Sequence, residues 1–99
     1  MKTGYVYIMA NRKKGTLYIG VTSNLVKRVF QHKNGKMDSF SKQYETKCLV
    51  YYEVYENNMY QAIRREKMLK KWLRSWKIDL ISKKNPDWKD LYGDIIGTQ

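Results

Sequence analysis

The stretch YVYIMANRKKGTLYIGV, residues 5–21, decides the fold of this chain. Its two ends, Tyr5 to Met9 and Thr16 to Val21, are rich in the β-branched and aromatic side chains that favour strands. Between them, Asn11 to Gly15 forms a polar segment that ends in glycine, which is typical of a turn. Two strands joined by a short polar turn predict a β-hairpin.

Helical periodicity begins directly after the hairpin. The cap-forming residues 22–24 (TSN) precede Leu25, and the pattern predicts a helix from there to about Lys33, ended by Asn34-Gly35. A polar loop follows. The segment Lys47 to Val54 (KCLVYYEV) predicts a third strand, whose alternation places four side chains on one face: Cys48, Val50, Tyr52 and Val54.

The second half of the chain is predicted to be mainly helical. From Asn57 onward, one apolar stripe is formed by Met59, Ala62, Ile63, Leu69, Trp72 and Leu73. We expect a break near Ser75, a short helix over Trp76 to Ser82, and the end of regular helix at Pro86. The tail, Trp88 to Ile96, is expected to fold back onto the body through Trp88, Leu91 and Tyr92.

The element order β-β-α-β-α-α predicts an α+β fold, in which helices flank a small three-stranded antiparallel sheet. A chain of 99 residues is long enough for one compact domain and too short for two. We therefore expect a single domain over residues 1–99.

The charge of the chain is strongly positive, with 20 Lys and Arg against 9 Asp and Glu and a formal net charge of +11. Such an excess favours a polyanionic partner, either nucleic acid or an anionic membrane. No stretch approaches the roughly 18 apolar residues needed to span a bilayer. The N-terminus also lacks the apolar segment of a signal peptide. Nucleic acid is therefore the expected partner, with no membrane association.

The composition also limits cysteine and metal chemistry, because the chain has one cysteine and one histidine. A single cysteine excludes an intramolecular disulfide, and Cys48 lies in an apolar run typical of core, consistent with a reducing cytoplasm. So few sulfur and nitrogen ligands do not support a structural zinc site.

Two helices carry side chains that do not fit a plain apolar core. Arg28 and His32 are four residues apart and therefore share one face of the first helix, which by spacing alone is an ordinary half-exposed edge. Glu66 falls inside the apolar stripe of the long helix, where an unpaired carboxylate costs several kcal/mol. It must bind either a metal ion or a cation, for which the chain offers Arg28, Arg65 and Lys70.

The tyrosines form the third unusual feature, since there are nine in the chain. Strand alternation places Tyr5 and Tyr7 on one face, and it points Tyr18 away from its strand neighbours. If Tyr7 and Tyr18 share a face of the sheet, their phenols can cluster with Arg28 and Glu66. Aromatic side chains usually serve packing, but a phenol can also act as a general base beside a cation or metal.

Basic residues are concentrated on the long helix and the segment after it, interleaved with Trp72 and Trp76. They are Arg64, Arg65, Lys67, Lys70, Lys71, Arg74 and Lys77. A solvated face is the ordinary interpretation of such a run. Given the charge of the whole chain, we expect contacts to nucleic-acid phosphates from Arg28 together with Arg65, Lys67, Lys70, Lys71 and Arg74.

The hairpin triplets Tyr5-Val6-Tyr7 and Tyr18-Ile19-Gly20 resemble the two signature triplets of the GIY-YIG nuclease superfamily, which includes excision-repair nucleases. The resemblance continues along nearly the whole chain through an ordered set of polar residues: Arg28, His32, Glu66 and Asn85. It is strongest to small stand-alone members, which carry Ala-x-x-Arg-Glu (here Ala62 to Glu66) and Asn-Pro-x-Trp-x-Asp-Leu (here Asn85 to Leu91).

The resemblance implies hydrolysis of a DNA phosphodiester bond with one divalent cation, Mg²⁺ or Mn²⁺. Glu66 matches the metal ligand, and Arg28 matches the group that neutralises the scissile phosphate. Tyr7 or Tyr18 would deprotonate or position the attacking water, while His32 and Asn85 would support this catalytic set. A metal held by one carboxylate and several waters is a common arrangement for Mg²⁺, and it polarises a phosphoryl oxygen and acidifies water.

The chain departs from the family pattern at Tyr5, where the name-giving triplet has glycine, and at Val21, where some relatives have lysine. Three functions remain open. The first is a metal-dependent DNA endonuclease with little sequence specificity. The second is a DNA-binding module that has the nuclease fold but little or no activity alone. The third is a basic protein-interaction domain, for which RNA is a conceivable target.

Overall fold

The structure is a computed structural model that describes residues 1–37 and 39–97. Along these residues the elements are β1 (Gly4–Ala10), β2 (Leu17–Thr22), α1 (Leu25–Lys33), α2 (Ser39–Tyr44), β3 (Cys48–Tyr55), α3 (Met59–Lys71), α4 (Arg74–Lys84) and α5 (Tyr92–Ile95). The predicted hairpin, first helix and third strand are each confirmed to within a residue or two. Asn24 caps α1 by accepting a hydrogen bond from the amide of Lys27.

The sheet has the strand order β2-β1-β3, and both pairings are antiparallel. The predicted α+β class with a three-stranded antiparallel sheet is confirmed. Strand β1 lies in the centre, and the five side chains from Val6 to Ala10 are completely inaccessible to solvent. This explains why β1 is almost continuously apolar, since helices cover both of its faces.

The two faces of the sheet carry separate clusters of buried side chains. On one face, Val6 and Ile8 pack with Ala62 and Leu69 of α3 and with Ile81 of α4. The other face has its own cluster, which includes α1 and is formed by Tyr7, Met9, Leu25, Val29 and Leu49. We call these the α3 face and the α1 face.

A β-bulge overturns part of the prediction for β3. The pairing of β1 with β3 shifts between Ile8 and Met9, so that Val50 is an extra residue between the partners Tyr51 and Leu49. Val50 and Tyr51 therefore both pack on the α3 face, and Tyr52 moves to the α1 face. The expected single face through Cys48, Val50, Tyr52 and Val54 is wrong because a bulge breaks strict alternation.

Three further predictions need correction. The polar loop before β3 contains a short helix, α2, and the tail contains another, α5. The helical break lies at Trp72 and Leu73 instead of near Ser75, because Trp72 adopts an extended backbone with ψ of 153°. Ile63 and Leu73 are 37% and 60% exposed. Helix α3 buries only the narrow stripe that runs through Ala62, Glu66 and Leu69, and Leu73 lies beyond the turn of the chain.

The tail folds back as predicted. Trp88 is buried in the α3-face cluster, and Leu91 and Tyr92 pack against the α1-face cluster. The amide of Leu91 donates a hydrogen bond of 2.7 Å to the carbonyl of Leu49. In the described part of the chain, no helix is long and apolar enough to cross a membrane.

An ion-pair network ties α3 to β3. Arg65 donates from Nε to Oε1 of Glu53 at 3.1 Å and from Nη2 to Oε2 at 3.0 Å. The hydroxyls of Tyr51 and Tyr55 donate to the same carboxylate. Burial on its own would raise the pKa of Glu53, but these hydrogen bonds and the Arg65 charge outweigh it and lower that pKa from its usual value.

Gly4 marks the closest approach between α3 and the sheet. A Cβ atom at this position would lie 2.6 Å from the Cβ of Ala62 and 3.0 Å from the backbone of Met59. We expect Gly4→Ala to lower the free energy of unfolding by about 1–3 kcal/mol, because backbone must move to relieve the overlap. Urea denaturation measures this effect.

Gly93→Ala is the matched control, since a Cβ there has nothing within 4 Å and the residue lies in α5. It should leave the stability unchanged or raise it slightly. Equal effects of the two substitutions would contradict the close packing of α3 on β1.

The Glu53 network predicts an acid-sensitive contribution to stability. Because the folded-state pKa of Glu53 is lowered, its stabilising effect is complete above the unfolded-state pKa near 4.5 and is lost as the pH falls through the folded-state value. Urea denaturation between pH 7 and pH 3 should show a steeper loss of stability for the wild type than for Glu53→Gln. Parallel curves would show that this carboxylate does not contribute.

Candidate active site

The site is built around Tyr7, which crosses over the neighbouring strand. Tyr7 of β1 pairs with Gly20 of β2, and a Cβ at Gly20 would lie 2.4 Å from the Tyr7 hydroxyl oxygen. Only glycine leaves room for the phenol at this point. The glycine of the second triplet is therefore required by a side chain of the first triplet.

The Tyr7 phenol meets an imidazole from α1. Its hydroxyl lies 3.1 Å from Nε2 of His32, and both side chains are buried, with exposures of 0% and 2%. The ring of Tyr18 lies 4.8 Å from that of His32 and 6.4 Å from that of Tyr7, measured between centroids. The predicted sharing of one sheet face by Tyr7 and Tyr18 is confirmed, and His32 joins them.

Two hydroxyl side chains extend this cluster, and sequence reasoning missed both. Nδ1 of His32 lies 2.8 Å from Oγ of Ser41, which in turn lies 2.6 Å from Oγ1 of Thr46. Ser41 and Thr46 are both buried. They belong to a segment without apolar periodicity, so the only signal was the presence of short hydroxyl residues between a helical histidine and the next strand.

Arg28 lies on α1 one turn before His32 and is half-buried. Within residues 1–37 and 39–97, no side-chain hydrogen bond or ion pair engages its guanidinium. The contact with Glu66 that the sequence left open is not formed. The Arg28 charge is therefore available to an external anion.

Glu66 is buried on α3 and forms an ion pair with Lys70, whose Nζ lies 2.7 Å from Oε2. Of the cations that the sequence offered, the structure selects Lys70, one helical turn away. The Lys70 side chain is 55% exposed. Such a half-exposed pair contributes little to stability, and its lysine can move away at low cost.

A cleft beside the outer edge of β2 is lined by residues from both faces of the sheet. Its volume is about 220 Å³, and it is lined by Leu17, Tyr18, Ile19, Phe40, Lys70 and Lys77. Tyr18 belongs to the aromatic cluster on the α1 face. Lys70 is the ion-pair partner of Glu66 on the α3 face. The edge strand is therefore where the two faces of the sheet present their polar groups together.

The basic residues that the sequence singled out separate into three groups. Lys70 lines the cleft beside β2, and Arg74 lines the adjoining cavity while donating to the carbonyls of Lys14 and Gly15. Lys67 and Lys71 are exposed on α3. Arg65 instead points toward β3, at the opposite edge of the sheet, where Glu53 balances its charge.

Asn85 also lies away from the aromatic cluster. Its side-chain amide donates to the carbonyls of Val50 and Lys89 at 3.0 and 2.9 Å, and its Oδ1 accepts from the amide of Lys89 at 3.2 Å. These bonds attach the tail to β3. The structure thus gives Asn85 an anchoring position at the edge of the sheet opposite β2.

A divalent metal ion fits this site through Glu66. Among the described residues, there is no group of three or more His, Cys, Asp or Glu side chains that could enclose a metal. Glu66 offers a hard oxygen ligand whose one described cation, Lys70, is displaceable. That donor set suits an ion such as Mg²⁺, which keeps most of its water when it binds to proteins.

Comparison with known proteins gives matches over most of the chain. The GIY-YIG catalytic domain family matches residues 3–79. A UPF0213 protein of Clostridium perfringens is 41% identical over 81 residues, which cover 82% of this chain and 85% of that protein. A UPF0213 protein of Syntrophus aciditrophicus is 36% identical, with coverages of 88% and 98%.

A third relative, from Staphylococcus saprophyticus, is also a UPF0213 protein and is 34% identical, with coverages of 83% and 98%. No solved structure matches the chain. The UPF0213 relatives are small stand-alone members of the matched family, and the GIY-YIG domain is typically a nuclease domain. The chain therefore belongs to the GIY-YIG family.

Proposed function

We propose that this protein is a divalent-metal-dependent DNA endonuclease that hydrolyses phosphodiester bonds with little sequence specificity. The observation that carries the proposal is the cleft beside β2. There Tyr18, from the aromatic cluster of the α1 face, and Lys70, the ion-pair partner of Glu66 on the α3 face, line one open groove. A phosphodiester in this groove could contact both residues at once.

Glu66 is the residue that would hold the metal. GIY-YIG nucleases generally use divalent metal ions, and Mg²⁺ or Mn²⁺ would supply a Lewis acid for the phosphoryl oxygen. Lys70 would leave the carboxylate when the ion binds and would then be free to contact the DNA backbone. Burial of Glu66 keeps its carboxylate in one position, which favours a defined geometry for the ligand.

Arg28 and Tyr18 are the residues that would contact the substrate. The guanidinium of Arg28 can bind two phosphate oxygens through parallel hydrogen bonds, and it stabilises the negative charge of the transition state. Tyr18 is half-buried and lines the cleft, whereas Tyr7 is completely buried. We therefore assign the positioning or deprotonation of water to Tyr18. Tyr7 and His32 would support Tyr18 from behind.

The basic surface around the cleft suits a nucleic acid, and the GIY-YIG domain implies that this nucleic acid is DNA. Arg12, Lys14 and Lys77 line the cavity that adjoins the cleft, and Lys67 and Lys71 extend the positive surface along α3. Contacts to phosphates fix the position of DNA without discriminating sequence, so affinity should fall steeply with salt. A cytoplasmic location and a role in DNA repair would both suit such an enzyme.

The first test replaces the proposed metal ligand. Purified Glu66→Gln should cleave labelled single-stranded, duplex and branched DNA at least about 100-fold more slowly than the wild type in Mg²⁺ or Mn²⁺. EDTA should abolish cleavage by the wild type. Glu56→Gln is the matched control, since it makes the same chemical change at an exposed position, and its rate should equal that of the wild type.

Metal-dependent cleavage that survives Glu66→Gln would refute the ligand assignment. If the wild type binds DNA in a salt-sensitive manner but cleaves none of the three substrates, the protein is a DNA-binding module with the nuclease fold. In that case Glu66→Gln should leave binding unchanged.

The second test distinguishes the two phenols of the aromatic cluster. Tyr18→Phe should lower kcat by about 10²- to 10⁴-fold, because it removes the proposed water-handling hydroxyl and keeps the aromatic ring. Tyr7→Phe, unlike Tyr18→Phe, should lower the free energy of unfolding by about 1 kcal/mol, since it removes the buried hydrogen bond to His32. Single-turnover kinetics and urea denaturation measure the two effects.

Tyr60→Phe serves as the control, because Tyr60 is exposed on the outer side of α3. It should change neither quantity. A normal cleavage rate for Tyr18→Phe would show that the attacking water is handled by another group.

A further inference from the structure

Three buried hydrogen bonds link four side chains into a continuous polar chain behind the cleft. The chain runs from Thr46 through Ser41 and His32 to Tyr7, with distances of 2.6, 2.8 and 3.1 Å. The exposure of each of these side chains is 2% or less. Water therefore does not compete directly for these three bonds.

The local backbone brings the two hydroxyls together. Ser41 lies in α2 and Thr46 lies just before β3, and the amide of Thr46 donates to the carbonyl of Ser41 at 3.3 Å. This closed turn holds the Ser41 hydroxyl against Nδ1 of His32. The imidazole is thus held from both ends, by Ser41 at Nδ1 and by Tyr7 at Nε2.

The relative donor strengths of the hydroxyl groups decide which way the hydrogen bonds of this polar chain point. In a neutral imidazole one nitrogen is a donor and the other is an acceptor. In either tautomer one hydroxyl donates to the unprotonated ring nitrogen, from Tyr7 to Nε2 or from Ser41 to Nδ1. A phenol O–H is a stronger donor than an aliphatic O–H. The better pairing therefore has Tyr7 donating to Nε2, which leaves the proton of His32 on Nδ1, facing the lone pairs of Ser41.

We propose that Ser41, supported by Thr46, is a positioning residue that holds His32 as the Nδ1–H tautomer, so that Nε2 accepts the hydrogen bond of Tyr7. The imidazole side chain of free histidine prefers the opposite, Nε2–H tautomer, so the protein must impose this one. The consequence for catalysis rests on the proposed nuclease function. An unprotonated Nε2 polarises the Tyr7 hydroxyl and fixes the imidazole ring against which Tyr18 packs.

Nitrogen NMR of the imidazole tests the tautomer directly. His32 is the one histidine of the chain, so both ring nitrogens of ¹⁵N-labelled protein without a histidine tag are assigned without ambiguity. At a pH where the ring is neutral, we expect a protonated Nδ1 and an unprotonated Nε2 in the wild type. A protonated Nε2 in the wild type would overturn the proposal without any variant.

Substitution of Ser41 then tests its role. Ser41→Ala should move both nitrogen shifts toward the Nε2–H tautomer, and Ser41→Thr should restore them because it keeps the hydroxyl. Ser75→Ala, at an exposed position of α4, should leave them unchanged. Unaltered His32 shifts in folded Ser41→Ala would refute the proposal. If Ser41→Ala does not fold, Thr46→Val decides, and a tautomer ratio identical to that of the wild type would refute the support by Thr46.

Activity measurements separate this inference from the nuclease itself. In Ser41→Ala we expect kcat to fall by about 10- to 100-fold with KM within about twofold, and Ser41→Thr should recover most of the rate. A tautomer shift with an unchanged kcat would limit the role of Ser41 to structure. Absence of cleavage by the wild type would refute the nuclease proposal, while the NMR result would still decide the tautomer.

Discussion

The structure depends on how a side chain of the central strand reaches the edge of the sheet. Strand β1 has a hydrogen-bonded neighbour on each side and helices on each face, so its side chains are enclosed. Tyr7 can extend across β2, while staying buried, because β2 presents Gly20 at the paired position. A methyl group there would occupy the place of the phenol. The contact between Tyr7 and His32 therefore depends on the absence of a side chain at position 20.

Two adjacent residues of α3, Arg65 and Glu66, have different roles at the two edges of the sheet. Arg65 and Glu66 are neighbours on α3, yet they point to opposite edges. At the β3 edge, Arg65 meets Glu53 in a network of several hydrogen bonds, which balances the charge and ties α3 to the sheet. At the β2 edge, Glu66 has a half-exposed lysine as its partner. The strongly paired charge stabilises the fold, and the weakly paired one remains able to accept a new partner.

Much of the fold could be predicted from the sequence because it follows from local patterns. The hairpin, the Asn24 cap of α1 and the third strand depend on alternation, turn residues and capping, all of which act over a few residues. The bulge at Val50 and the break at Trp72 could not be predicted, since they depend on packing between distant segments. The same division applies to the site. Tyr7 and Tyr18 share a face by alternation, whereas the partners of Arg65 and Asn85 come from strands that no local pattern identifies.

The interior of the site is a fixed set of buried hydrogen bonds, whereas the charged side chains near the surface can move. A buried polar chain destabilises a protein unless every group is hydrogen-bonded, and in the described residues no buried side-chain nitrogen or oxygen atom lacks a partner. The bonds from Thr46 to Tyr7 therefore hold the interior in one geometry before any substrate binds, which reduces the reorganisation needed during a reaction. Lys70 at the rim and Arg28 on α1 have long, partly solvated side chains that can adjust to a phosphate backbone. Rigid support behind adaptable charges suits the proposed hydrolysis of DNA with little sequence specificity.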